Sequence, residues 1–110
     1  MANTFKNSVT GSVGTTGVKV YTVPAATSTT VIGMSVANTS VSNITVSTTL
    51  TSVLQGKTVY LIKDATVPVG GSLVLVGGDQ KVVLSATDFL AVTSSAATSA
   101  DVVVSVLEIS

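Results

Sequence analysis

Half of this chain consists of valine, threonine and serine, with 22, 18 and 15 residues among the 110. Valine and threonine carry two heavy atoms on Cβ, which stiffens χ1 and favours an extended strand over a helix. No window of the sequence shows a helical repeat of apolar residues. The composition therefore predicts an all-β fold.

Turn-forming residues recur every eight to twelve residues or so, a spacing typical of sandwiches and barrels of short strands. A chain of 110 residues is long enough for one two-layer core. We expect a single antiparallel β-sandwich, jelly-roll-like, of about eight strands. Residues 1–17 are assigned to an N-terminal arm or edge strand, and 18–110 to the sandwich. The strand-like segments are 4–13, 18–23, 29–38, 43–54, 57–64, 72–77, 80–84, 89–95 and 101–110.

Residues that build most catalytic and metal sites are scarce, since the chain has no histidine, cysteine or arginine. The serines therefore lack a histidine base, and no Gly-x-Ser-x-Gly turn occurs. A serine–lysine pair with Lys57 or Lys63 stays open, but a solvated lysine is the ordinary explanation in their strand-like segment. Asp79, Asp88 and Asp101 lie beside turns, where aspartate usually bonds backbone N–H groups. We expect no enzyme, cofactor, metal or small-molecule substrate.

Charge is low and balanced: five lysines face five acidic residues, and the charged fraction is 9%. Nucleic-acid binding needs a basic excess, so nucleic acid is not an expected partner. No apolar run approaches the roughly 20 residues of a membrane span, and residues 1–6 lack the apolar stretch of a secretory signal. A soluble monomer's surface usually carries roughly 25–35% charged residues. We therefore expect other subunits to cover part of the surface, as in a homo-oligomer.

Two segments alternate between apolar and polar residues, as strands of a half-buried antiparallel sheet do. This pattern assigns one face of each strand to the core. The residues expected on the buried faces are Ile32, Met34 and Val36 in 29–38, and Ile44, Val46 and Leu50 in 43–51.

Two other segments, 73–76 and 101–110, are apolar on both faces, although a small sandwich has only one interior. Either such a strand is central and covered by loops, or its outer face is a subunit interface. The low charge favours the interface. The candidate interface residues are Val103, Leu107 and Ile109, with Val74 and Val76 as a second group.

Several short motifs follow one another in a fixed order along residues 20–110. They are VYTVPAAT at 20–27, IGMSVANT at 32–39, VPVGGSL at 67–73, LSATDFLAV at 84–92 and a valine-rich strand at 102–109. In this order and spacing, the chain resembles small virion proteins of tailed bacteriophages. The resemblance implies a non-enzymatic β-sandwich on a phage particle. Thr87 stands where that pattern has glycine, so we expect a different type of turn there.

Composition and resemblance together predict a structural virion protein, made in the host cytoplasm, that assembles with itself and with other virion proteins. It would decorate or cement the capsid, or serve as a neck or tail accessory protein. The alternative is a host-surface or carbohydrate-binding module, such as an adhesin or fibre domain. That function needs exposed aromatic residues or a calcium-bound loop. The aromatic residues are only Phe5, Tyr21, Tyr60 and Phe89.

Overall fold

The computed structural model describes residues 3–77 and 81–110, which form nine β-strands in two antiparallel sheets. The predicted all-β sandwich is confirmed. Asp79 and the first residue of segment 80–84 lie outside the described residues. No helix able to cross a membrane occurs in the described part of the chain. The strands are β1 (Asn3–Val13), β2 (Val18–Thr22), β3 (Ser28–Asn38), β4 (Ile44–Ser52), β5 (Lys57–Val67), β6 (Ser72–Val76), β7 (Val82–Leu84), β8 (Phe89–Ser94) and β9 (Ala100–Ile109).

The strands pair as a set of nested hairpins. β4 pairs with β5, β3 with both β6 and β7, β2 with β8, and β1 with β9. Sheet A has the order β1-β9-β3-β6, with β7 also paired to β3, and sheet B has the order β2-β8-β4-β5. Because β6 and β7 lie along the same edge of β3, they act as one interrupted strand. The result is an eight-stranded jelly roll.

The core fills the space between the inner faces of the two sheets and is built mainly from valine. Branched side chains stand perpendicular to each sheet and interdigitate across the gap of about 10 Å. Ile44 and Val46 are buried as the alternation predicted, and Leu50 packs against the core. The valines with no exposed surface are Val31, Val36, Val67, Val92, Val104 and Val106.

The alternation prediction for β3 was wrong at Ile32. The register of β3 against β9 shifts between Val31 and Gly33, so the strand contains one extra residue. Such a bulge switches the faces of the residues that follow it. Val31 is therefore buried on the same side as Met34 and Val36, and Ile32 is only half-buried.

Asp88 fixes a turn, as its position in the sequence predicted, whereas Asp101 bonds the neighbouring strand β1. Asp88 is buried, and its carboxylate accepts hydrogen bonds from the backbone N–H groups of Val53 and Ser85, both at 3.0 Å. These bonds join the β4–β5 hairpin to the turn that precedes β8. Asp101 accepts a hydrogen bond from the backbone N–H of Ser12 at 3.0 Å.

The turn before β8 keeps a left-handed residue although its sequence lacks glycine. Thr87 has a φ of 69° and is exposed. A β-branched residue is strained there, because its Cβ lies too close to the following carbonyl oxygen. The expectation of a different turn was therefore wrong: the backbone has the left-handed conformation that glycine adopts most easily, and Thr87 bears the strain.

We expect Thr87→Gly to raise the free energy of unfolding by roughly 1 kcal/mol, because relief of strain exceeds the added freedom of the unfolded chain. Urea unfolding measures the change. Thr22→Gly, at an exposed position in strand β2, is the matched control and should destabilise the protein. Equal destabilisation by both substitutions would show that Thr87 is not strained.

Candidate functional site

Sheet A carries apolar side chains on its outer face as well as its inner face. In β9, the side chains of Val102, Val104 and Val106 point into the core, so the residues between them point outward. Partners in register on β1, β3, β6 and β7 share that outward direction. We call the outward apolar residues the outer apolar face; they are Phe5, Val9, Ile32, Val74, Val83, Val103, Leu107 and Ile109.

The strand register places most of these residues in two rows across the sheet. Directly opposed residues on one face of an antiparallel pair have Cβ atoms roughly 4.5–5.5 Å apart, so each row is a continuous contact. From β1 to the far edge, the rows are Phe5, Leu107, Thr30 and Val83, and Val9, Val103, Ser35 and Val74. Each row therefore crosses the full width of sheet A, with one hydroxyl residue, Thr30 or Ser35, at β3.

A shallow depression lies between the two rows. Asn7 and Ser105 line it, and Ser105 pairs with Asn7 on β1 and with Gly33 on β3. Phe5 and Ile32 stand at its rim. The face is therefore contoured between the two rows.

Exposure along the outer apolar face is high at its edges and lower in its centre. Phe5 is 74% exposed, Val83 71% and Val74 65%, whereas Leu107 and Ile109 are half-buried between β1 and β3. Contiguous exposed apolar surface on a soluble protein usually marks an interaction site. Of the candidate interface residues, all but Val76 lie on this face.

Val76 lies in the core and is 2% exposed. The register of β6 against β3 shifts, so that Val74 pairs with Ser35 and Val76 pairs with Met34. Leu75 is the extra residue, and it reverses the expected alternation. Val74 and Val76 therefore do not share a face, and Val76 leaves the candidate set.

The outer face of sheet B is different, since hydroxyl groups dominate it. Its two aromatic rings each lie beneath an ammonium group, with Lys19 Nζ 4.1 Å from the centre of the Phe89 ring and Lys63 Nζ 5.3 Å from that of Tyr60. Such contacts keep the rings in a polar surface. The hydroxyl residues on this face include Thr45, Ser47, Thr49, Thr51, Thr58, Thr66 and Thr93. Sheet B thus has the ordinary solvent-facing surface of an antiparallel sheet.

Charged groups lie at the margins of the outer apolar face. On β9, the outward residues from Val103 to Ile109 carry no charge. Among the described residues, their outward partners on β1 and β3 carry none either. Asp101 lies at one end of the face. At the β1 edge, Lys6 Nζ lies 3.1 Å from Glu108 Oε1. Centres of protein interfaces are depleted of charge in the same way, because a charge is costly to desolvate.

Glu108 forms a buried polar cluster that the sequence did not predict. Tyr21 Oη donates a hydrogen bond to Glu108 Oε2 at 2.6 Å and bonds Thr29 Oγ1 at 2.9 Å. The cluster links β1, β2, β3 and β9, and so joins both sheets. Burial, followed by the hydrogen bond to Glu108, raises the pKa of Tyr21 to about 12. The Tyr21 hydrogen bond and the nearby Lys6 lower the pKa of Glu108 against the opposing effect of burial.

Residues considered for chemistry do not converge in the described structure. Lys57 is exposed at the start of β5, and Lys63 lies over Tyr60 on the same strand. In residues 3–77 and 81–110, no three acidic, histidine or cysteine residues gather where they would hold a metal ion.

Comparison with models of protein families and with curated proteins finds no match. Among solved structures, the chain is similar to a chain in the structure of infectious bursal disease virus, Gx strain. The TM-score is 0.52 at 14% identity, and the match covers 96% of this chain and 36% of that one. This chain therefore spans about a third of the viral chain. The likeness shows a shared β-sandwich fold.

We expect Glu108→Gln to lower the free energy of unfolding at pH 7 by roughly 1.5–3 kcal/mol, since it removes a charge-assisted hydrogen-bond acceptor. The pKa of Glu108 is depressed from its ordinary value of 4.5. Its stabilisation is therefore present above about pH 4.5 and is lost as pH falls through the folded-state pKa. Urea unfolding from pH 7 to pH 3 measures both effects.

The difference in stability between the wild type and Glu108→Gln should shrink as the pH falls below 4.5. Asp64→Asn, at an exposed carboxylate on β5, is the control for loss of one negative charge. A pH-independent difference for Glu108→Gln would contradict the assigned role of the carboxylate.

Proposed function

We propose that this chain is a non-enzymatic structural protein of a virus particle, of the tailed-bacteriophage type that its motifs resemble. It assembles with further copies of itself and with other virion proteins, as a capsid decoration protein or as a neck or tail accessory. The observation that carries the proposal is the outer apolar face of sheet A. The partners bury this face when the particle assembles.

The mechanism is burial of apolar surface. Each fully covered valine or leucine side chain contributes about 1.5–3 kcal/mol, and copies related by symmetry repeat the gain. Association costs several kcal/mol or more in lost freedom, so a single contact is too weak and an extended face is needed. The two rows supply such a face, with no charge to desolvate along them.

The fold supports a location on the virion. The sandwich is similar, over nearly the whole of this chain, to a chain from a virus structure. Jelly rolls also form viral capsid domains in general, where rigid sandwiches pack side by side. The structural likeness and the motif resemblance both favour a particle component.

The structure gives less support to the alternative function, a host-surface or carbohydrate-binding module. Jelly rolls also form lectin domains, so the fold alone permits it. Stacking on a sugar needs aromatic rings that converge on one surface. The exposed rings are Phe5 on sheet A and Tyr60 on sheet B, which lie on opposite outer faces.

The test is a substitution in the outer apolar face. We expect Leu107→Asp to fold and to weaken self-assembly roughly ten- to hundredfold, because it removes about 1.5–3 kcal/mol of burial at each contact. Sedimentation velocity over a range of concentrations measures the association, and circular dichroism checks the fold. Thr49→Asp, also half-buried on the outer face of a central strand, is the matched control in sheet B.

Val74→Asp is a second test that carries little risk to folding, since Val74 is 65% exposed. It should also weaken assembly, whereas Thr49→Asp should leave it unchanged. The proposal fails if Leu107→Asp and Val74→Asp both associate as tightly as the wild type, or if Thr49→Asp weakens association as much as they do.

A further inference from the structure

We infer that two copies of this chain pair through the free edge of β1, antiparallel and about a twofold axis, so that their A sheets become one continuous sheet. The role of this dimer in a virion rests on the proposed function, but the pairing itself rests on the edge. A free edge strand presents unpaired backbone N–H and C=O groups, and these bind another strand unless the edge is protected.

The other sheet edges are protected in recognisable ways. β5 carries Lys57, Lys63 and Asp64, and its pairing with β4 has two register shifts. β2 has five residues and a register shift after Lys19. The opposite edge of sheet A is divided between β6 and β7, of five and three residues. Charges, irregularities and short length all discourage pairing with another strand.

β1 lacks these protective features along most of its length. It has 11 residues, and its register with β9 is continuous from Asn3 to Thr10. Its side chains are mostly exposed. Its one charged residue is Lys6, and the ammonium of Lys6 lies 3.1 Å from the Glu108 carboxylate of the same chain. The charge is thereby partnered within the subunit, and a straight edge is left open.

The side chains of β1 favour one register. When two identical antiparallel strands pair about a twofold axis, the residue on the axis lies opposite the same residue of the second copy. Residues at equal distances before and after that residue lie opposite each other. Centring the pair on residue 6 would oppose two lysines, which is unfavourable. Centring it on residue 8 would place Phe5 opposite Gly11. Centring it on residue 7 places Phe5 of each copy opposite Val9 of the other copy, so this apolar contact forms twice.

This register also extends the outer apolar face. Phe5 and Val9 are 74% and 69% exposed and end the two rows at the β1 edge. In the dimer, Phe5 of one copy would contact Val9 of the second copy across the axis. The row that contains Leu107 in one copy would therefore continue into the row that contains Val103 in the second. The dimer would present one apolar surface twice as wide to the next partner.

Cysteine cross-linking tests the pairing directly, since the chain has no cysteine of its own. Directly opposed residues have Cα atoms roughly 4.5–5.5 Å apart, within the range that a disulfide spans. We expect Asn7→Cys to form a disulfide dimer under mild oxidation. Thr58→Cys, at an exposed position on the β5 edge, is the matched control and should stay monomeric on non-reducing gels.

The register is tested with an equal mixture of Phe5→Cys and Val9→Cys, which should give mixed disulfides well above the half expected from random pairing. Edge pairing is overturned if Asn7→Cys cross-links no better than Thr58→Cys. The residue-7 register is overturned if the mixture pairs at random or prefers homodimers. If Asn7→Cys cross-links but Leu107→Asp assembles as tightly as the wild type, the proposed function is contradicted and edge pairing stands. If Asn7→Cys does not cross-link but Leu107→Asp weakens assembly, edge pairing is contradicted and the proposed function stands.

Discussion

The packing of branched side chains between the two sheets is the interaction on which the rest of the structure depends. A strand has two faces, and the interior of a two-layer sandwich uses only one of them. The inner faces are filled by valine, isoleucine and leucine with almost no exposed surface. Further apolar residues must therefore lie on an outer face or in the loops. In this chain the outer face of sheet A carries Phe5, Val9, Val74, Val83 and Val103 at 42% exposure or more, and the other large exposed apolar side chains lie in loops and on β5.

That asymmetry connects the fold to the proposed function. Sheet B presents threonine and serine hydroxyls, with lysines over its two rings, and is suited to water. Sheet A presents two apolar rows and an open edge at β1. Because the protein carries so few charges, little electrostatic repulsion opposes the approach of two apolar faces. The same composition that makes the strands thus also supplies the surface for assembly.

The strands and their order of appearance could be predicted because β-branched residues and turns recur along the whole chain. The outward position of Val103 and Leu107 followed from simple alternation in β9. The bulges at Ile32 and Leu75 could not be predicted, because an extra residue leaves no trace in composition. The position of Phe5 on the outer face could not be predicted because residues 1–17 matched no motif, and the Glu108 cluster depends on contacts between distant strands. Whether Val103 and Leu107 contact another subunit stays a prediction.

The measurement that tests the central claim most directly is the solution mass of the wild-type protein by light scattering over a hundredfold range of concentration. Burial of the outer apolar face between copies predicts a mass that is a multiple of 10.9 kDa, or that rises with concentration towards such a multiple. A mass of 10.9 kDa at every concentration would contradict self-assembly through sheet A.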